Sequence, residues 1–358
     1  MQTKLKILFP DWKNFGVEDI KEAFEKMGHE VIIYKTEPKN YRIDPRFKSE
    51  LKKYIRSNGI TLMFTSNYFP VVADACHEVN IPYISWCYDS PLVLTFSKTV
   101  FYPTNFIFIF DSKMVADLQN LGVKQVFYMP MAVNPDRLNK LHTTSEQRKL
   151  IDADISFVGS LYSEKHTLYD RMTDLDDYTK GYIDGVMKAQ EQLYGVSIVE
   201  DALTPEIIDA MYQKMPINIH EDDLETKSYV YANYFINRKI TQTERPILLK
   251  EISEALPQME AQVGRKLKPL KLYTHNPTPF LPKVENMGTI HYMKEMPLVF
   301  RHSKINLNIT LRSIINGIPL RAIDIMGAGG FLLTNYQNDF QYHFEDGKDY
   351  VPTDGWTV

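Results

Sequence analysis

The chain has 358 residues, a formal charge of −4, 44% hydrophobic residues and 24% charged residues. That is longer than one typical domain and apolar enough for two cores, and the near-neutral balance argues against a nucleic-acid-binding stripe or a long disordered acidic tract. The apolar run in MQTKLKILFPDW halts at Pro10 and Asp11, short of a secretion signal, and no window approaches a membrane span.

Peripheral membrane association is therefore the most membrane contact expected. Cys76 and Cys87 stand in unrelated contexts, which suits reduced thiols in a cytoplasmic protein.

Lys4 to Phe9 is an apolar run of first-strand type, Val17 to Met27 has helical spacing closed by Gly28, and Glu30 to Tyr34 reads as a second strand. Strand, helix, strand is the opening of a parallel sheet. The loop Pro10 to Gly16 has no GxGxxG, which argues against a dinucleotide at this first turn. Asp11 and an exposed Trp12 nevertheless stand where open α/β sheets bind ligands. Helices over Phe47–Asn58, Val71–Glu78 and Lys113–Leu121 alternate with strands over Gly59–Thr65, Pro82–Trp86, Asn105–Phe110 and Gln125–Met129. Two of these strands deliver acids, Asp89 in CYDSP and Asp111 in FDS, to the same end of the sheet.

The polar stretch Asn139 to Asp152 reads as a linker, giving a first domain over residues 1–140 and a second over 150–358. Asp154 to Val158 is a new strand followed by Gly159 and Ser160; a glycine there lets the backbone approach a ligand, and it also suits an ordinary turn. Residues 165–260 read as a helical insertion, with segments at Tyr169–Leu175, Tyr178–Leu193, Pro205–Met215, Asp223–Asn237 and Thr241–Leu256. His220, Asp222, Asp223 and Glu225 invite a metal reading but lack a closed ligand spacing, so a solvated helix start is the better expectation. Leu270–Thr274 and Thr289–Tyr292 are read as strands and Met296–His302 as a helix. His275 could face a nucleotide or be a plain turn histidine.

The most informative stretch is SKINLNITLRSIINGIPLRAIDIMGAGGFLLTN, Ser303 to Asn335. Ile305, Leu307 and Ile309 alternate with Asn306, Asn308 and Thr310 as in a strand with one buried face. A loop with Arg312, Asn316 and Gly317 leads to Pro319, expected at the first helical position. Leu320 to Met326 make two turns, Gly327, Gly329 and Gly330 stop them, and Phe331 to Thr334 reads as the next strand. Arg321 and Asp324 share one helix face near its N-terminus. There the guanidinium, the free backbone N–H groups and the helix dipole can seat phosphate oxygens, with the carboxylate one turn deeper for ribose hydroxyls. The same spacing also suits an ordinary helix ion pair.

This stretch, together with YISWCYDSPL, FIFIFDS and VFYMPMAVN, resembles the CgeB-like, spore-maturation type glycosyltransferases. The resemblance covers nearly the whole chain, most tightly Tyr83–Asn134 and Ile305–Tyr336. It implies an α/β protein of the GT-B fold, two facing Rossmann-like domains, with the helical insertion in the second. The family's usual Arg, any residue, Phe, Glu stands here as Arg321, Ile323 and Asp324, so a shorter acid takes the ribose position. The family continues through further helix beyond the NYQ…F…GKDY segment (Tyr336 to Asp349, expected as helix and turn), so the resemblance implies a missing C-terminal piece.

The expected activity is hexosyl transfer from a nucleotide-diphosphate donor, a UDP-sugar, to a hydroxyl of a glycan or glycoconjugate such as a cell-envelope glycan. No cofactor, metal or nucleic acid is expected. The donor residues would be Gly159, Ser160, His275, Asn308, Arg312, Gly317, Arg321, Asp324, Gly329 and Gly330. Arg321 would also neutralise the leaving diphosphate. Asp11, Trp12 and Asp111 would lie on the acceptor side, with Asp89 as general base if the reaction inverts. A nucleotide-sugar epimerase and a non-catalytic nucleotide-sugar-binding scaffold remain the alternatives.

Overall fold

The computed structural model describes residues 4–353, except 13, 15, 164–166 and 221–222. It divides into two compact units, Met1–Met131 with Ile219–Thr226, and Ala132–Asn218 with Lys227–Val358. The first break thus falls ahead of the polar stretch at 139–152, which holds a short helix, Ser145–Ile151, closed at its start by a Thr144–Gln147 capping box.

The first unit holds six parallel strands: β1 (Lys6–Pro10), β2 (Glu30–Tyr34), β3 (Leu62–Ser66), β4 (Tyr83–Cys87), β5 (Asn105–Ile109) and β6 (Val126–Tyr128). Their order is β2-β1-β3-β4-β5-β6. Parallel pairing requires each connection to return across the sheet, and helices such as Val17–Lys26, Pro45–Ser57, Pro70–Val79 and Ser112–Asn120 do so. The loops after the strands consequently gather along one edge. Ile7, Phe9, Leu62 and Phe64 form one core cluster against Val17, Ile20 and Phe24 of the first helix.

The second unit repeats the arrangement with β7 (Ala153–Val158), β8 (Leu270–Tyr273), β9 (Val284–Asn286), β10 (Ser303–Asn308), β11 (Leu332–Asn335) and β12 (Val351–Thr353). Its order is β12-β11-β10-β7-β8-β9, again all parallel. Counted from β7, this is the doubly wound order 3-2-1-4-5-6 of a Rossmann sheet. Two six-stranded parallel α/β units in one chain are the two halves of a GT-B fold.

Between β7 and β8 the chain is mostly helical, with Asp177–Glu191, Pro205–Lys214 and a long run from Lys227 to Val263. That run joins two segments that the sequence separates. It passes from α-helix through a π-helical stretch, Tyr231–Ile236, into Asn237–Val263, with Pro246 and Pro257 inside it. Leu248, Leu249 and Leu256 pack against Ile155, Phe157, Leu270 and Leu272, and this burial carries the helix past its prolines. Tyr231, Phe235, Ile183, Ile207 and Met211 form a second cluster that holds the insertion together.

Other expectations need correction. Residues 289–292 are not a strand; the two edge strands of the sheet are Val284–Asn286, which ends before Gly288 at φ 76 and pairs with β8, and β12 beyond Asp349, which pairs with β11. Tyr169–Leu175 shortens to one 3-10 turn, Tyr169–Arg171, and the segment after Tyr336 holds a 3-10 turn, Asn338–Tyr342, in place of an α-helix. Asp223 and Glu225 do not open a helix: both pair with Arg42 of the first unit, and the helix starts at Lys227. Pro319 is the N-cap, with extended backbone, and Leu320 is the first helical residue.

Candidate functional site

In the second sheet the strand order reverses between β7 and β10, and open α/β sheets bind ligands outside the carboxyl ends of the strands at such a switch point. Two loops meet there, the one after β7 beginning at Gly159 and the one after β10 leading into the helix Leu320–Gly327. Ala322, Ile323 and Ile325 turn this helix inward. It ends in a Schellman-type turn in which Gly330 N–H donates to Ile325 and Gly329 N–H to Met326, with Gly329 at φ 80.

Arg321 occupies the first turn. Its guanidinium carbon lies 5.3 Å over the Phe157 ring, and a Cβ built on Gly159 would stand 2.8 Å from that carbon. Gly159 has φ 154, a backbone conformation that favours glycine, and a Cβ there would also push the guanidinium aside. Among the described residues the guanidinium has no hydrogen-bond or ion-pair partner; its contacts are the aromatic face and the Gly159 backbone. Burial lowers its pKa, opposed by Tyr162 and Asp324 nearby, and an arginine so placed keeps its charge. A half-buried cation with open donors at a helix N-terminus is a seat for an anion.

Asp324, 6% exposed, accepts from the Tyr292 hydroxyl at 3.1 and 3.3 Å and forms no ion pair with Arg321 within 4.0 Å. The ordinary ion pair that the spacing allowed is therefore not formed. Tyr292 reaches the acid because residues 289–292 are loop rather than strand.

Arg312 lies elsewhere in function. Its guanidinium donates to both carboxylate oxygens of Glu244 and to the carbonyls of Leu193 (2.8 Å) and Glu191 (3.1 Å), and stacks 3.8 Å over Tyr194. With these donors engaged, Arg312 fastens the loop after β10 to the helical insertion. Gln337 braces the same loop through the carbonyls of Ile314 (3.0 Å) and Gly317 (3.3 Å), and Asn308 spends its amide on Thr310 and Thr334 inside the sheet.

Ser160 lends its carbonyl to Arg245, whose other terminal nitrogen donates to the Ile309 carbonyl, so one buried arginine ties the two switch-point loops together. His275 is exposed just past β8. Gly329 and Gly330 sit at the far end of the helix from Arg321, roughly 12 Å away at 1.5 Å per residue, where a Cβ on Gly330 would meet the Phe300 carbonyl at 2.7 Å. They shape the helix end.

Sequence reasoning missed Phe157, Arg245 and Tyr292. Arg245 had a signal: it extends the buried stripe of Leu248, Leu249 and Leu256 by one turn, and an arginine in an apolar stripe must find partners. Tyr292 had none, because its partner lies 32 residues away.

In the first unit Asp89 is exposed after β4 and is held by Asn67, whose amide donates to it at 2.7 Å. Asp11 is exposed after β1. Trp12, expected to be exposed, is 8% exposed; it packs against Tyr41, Phe47 and Phe69, and its indole N–H donates to the Thr36 carbonyl. Asp111 is buried as the N-cap of Ser112–Asn120 and accepts from Ser90 at 2.9 Å. Burial pushes the Cys87 thiol up to about 12. Among the described residues no group of three or more His, Cys, Asp or Glu is placed to hold a metal ion, and no helix is long and apolar enough to cross a membrane.

Residues 245–355 match the model of a family described as glycosyl transferase-like. No curated protein matches. Among solved structures the chain is similar to Anabaena Alr3699/HepE in complex with UDP-glucose, at 10% identity over 98% of this chain and 86% of that one, TM-score 0.48. It is similar also to a glycosyltransferase from Rickettsia africae, at 10% identity over 96% and 83%, TM-score 0.43. A third is a UDP-N-acetylglucosamine 2-epimerase, so described, from Listeria monocytogenes, at 10% identity over 95% and 82%, TM-score 0.42.

Proposed function

We propose that this chain is a glycosyltransferase that takes a sugar from a UDP-sugar and passes it to a hydroxyl of a glycan or glycoconjugate. One observation carries the reading: the Arg321 guanidinium, without a hydrogen-bond or ion-pair partner among the described residues, at a helix N-terminus and against Gly159, at the switch point of a Rossmann sheet. The diphosphate would lie against Arg321 and the helix start, and the ribose hydroxyls would reach Asp324, whose orientation Tyr292 sets. Charge that grows on the leaving diphosphate would be met by this fixed cation and by backbone N–H groups, which is why a metal is not required in this reading. UDP is chosen as the first probe because it is the nucleotide named for the HepE complex.

On the acceptor side the proposal rests on the first unit's strand ends. Asp89 is the candidate base for the acceptor hydroxyl if the reaction inverts, being exposed and oriented by Asn67. Asp111 and Trp12 support that edge from below.

Calorimetric titration with UDP tests the donor site. Charge-assisted hydrogen bonds are worth about 1.5–3 kcal/mol each, so Arg321→Ala should bind UDP at least about tenfold more weakly, with unchanged thermal stability. UDP binding that is undiminished in Arg321→Ala would remove the assignment. UDP-sugar hydrolysis or transfer by the wild type separates a transferase from a protein that only binds, and an isomerised UDP-sugar in place of either would indicate an epimerase.

A further inference from the structure

All strands of the second sheet run the same way, so the residues that lead into β7, β8, β10 and β11 share its amino-terminal edge. This is the edge opposite the strand ends near which Arg321 stands. An ion-pair network spans it. Asp154, at the start of β7, pairs with Arg265, which lies between the long helix and β8, and with Lys304 at the start of β10 (2.9 Å); Asp152 pairs with Lys268.

The two acids do not balance the edge. Segments 146–154, 260–271 and 303–306 hold seven Lys and Arg against four Asp and Glu, in a chain whose formal charge is −4. Arg265, Lys268 and Lys304 keep 45%, 48% and 60% of their side chains exposed even when paired. Lys149 and Lys266 are exposed and make no ion pair among the described residues. Large apolar side chains stand among these cations, with Leu150 63%, Val263 56% and Phe331 50% exposed. The Leu150 carbonyl accepts from Lys271 of β8 and the Phe331 carbonyl from Asn306 N–H of β10, which fixes both residues to the sheet. Val263 precedes Arg265 by two residues.

We propose that this edge docks on an anionic lipid bilayer. Charge alone would suit any polyanion, but exposed apolar side chains interleaved with Lys and Arg match a surface with anionic headgroups above an acyl boundary. A single exposed apolar residue is ordinary; three on one basic edge form a pattern. Adjacent strands lie about 4.8 Å apart, so the four strand starts span roughly 14 Å. The six residues of β7, at about 3.3 Å each, set the strand ends roughly 20 Å from that surface, which leaves the Arg321 end of the sheet clear of the headgroups. The inference does not depend on what binds at Arg321.

The test is co-sedimentation with vesicles of phosphatidylcholine, with and without phosphatidylglycerol. The wild type should bind the mixed vesicles, not the neutral ones, and less as sodium chloride is raised. Lys149→Glu with Lys266→Glu should weaken binding at least about tenfold, and Leu150→Ser with Val263→Ser several-fold. All four substitutions are at exposed positions, and an unshifted melting temperature shows that each double variant is folded. No wild-type binding to the mixed vesicles, equal binding to neutral ones, or undiminished binding by either folded double variant overturns the inference. So does displacement from the vesicles by polyuridylic acid at equal phosphate concentration, which would assign the edge to RNA.

Discussion

Gly159 and Arg321 lie against each other, with no room for a Cβ between the glycine and the guanidinium. The contact joins the loop after the first strand of the second sheet to the helix after its fourth, the two elements that flank the switch point. A glycine and an arginine 162 positions apart thus meet at one place.

Gly159→Ala is accordingly expected to displace the guanidinium from the Phe157 ring and to strain the backbone at φ 154, at a cost of about 1–3 kcal/mol. Chemical denaturation measures the stability loss and calorimetry the loss of UDP affinity. An alanine variant with wild-type values of both would show that the contact is not needed.

Arg312 should behave in the opposite way from Arg321. Its side chain is buried and bidentate to Glu244, and breaking a buried pair by removing one partner costs about 3–5 kcal/mol. Arg312→Ala should therefore unfold at markedly lower denaturant, whereas Arg321→Ala should not. Equal midpoints for the two variants would contradict the separate roles.

Trp12 and Asp111 are expected to act on stability before activity. Truncating a buried Trp costs about 3–5 kcal/mol, and losing an Asp N-cap about 0.5–2 kcal/mol. Trp12→Ala and Asp111→Ala should lower the melting temperature in that order of severity and leave UDP affinity in the folded fraction unchanged.

The acid limb of stability should involve Asp154. Hydrogen bonds from Arg265 hold its carboxyl well below the usual range, against the opposing effect of burial, with Lys268 N–H and Lys304 adding to them. A carboxyl depressed in the folded state contributes stability above its unfolded pKa and loses it as pH falls through the folded one. Asp154→Asn should thus be less stable than wild type at pH 7, with the gap narrowing as pH falls below about 4, where the unfolded carboxyl protonates first, and closing only once the folded group protonates too. A pH-independent gap between the two melting curves would refute this.

The sequence by itself determined most elements of both sheets, because alternating apolar runs bounded by glycine and helical stripes between them are local patterns. It also determined the helix with Arg321 and Asp324 on one face, since 3.6 residues per turn fixes their side. It could not separate Arg321 from Arg312: two arginines in one motif look alike until Glu244 and Tyr194, from a helical insertion, take up one of them and Phe157 with Gly159 leaves the other open. It mistook Trp12 for an exposed residue because the rings that cover it, Tyr41, Phe47 and Phe69, come from later segments. It stopped the long helix at Leu256, just before Pro257, because proline disfavours a helix locally, whereas packing on the β7 and β8 side chains is a non-local gain that carries the helix on to Val263. Which polar side chain is engaged and which is left open depends on neighbours brought together only by the sheet order, and that was decided by the tertiary structure.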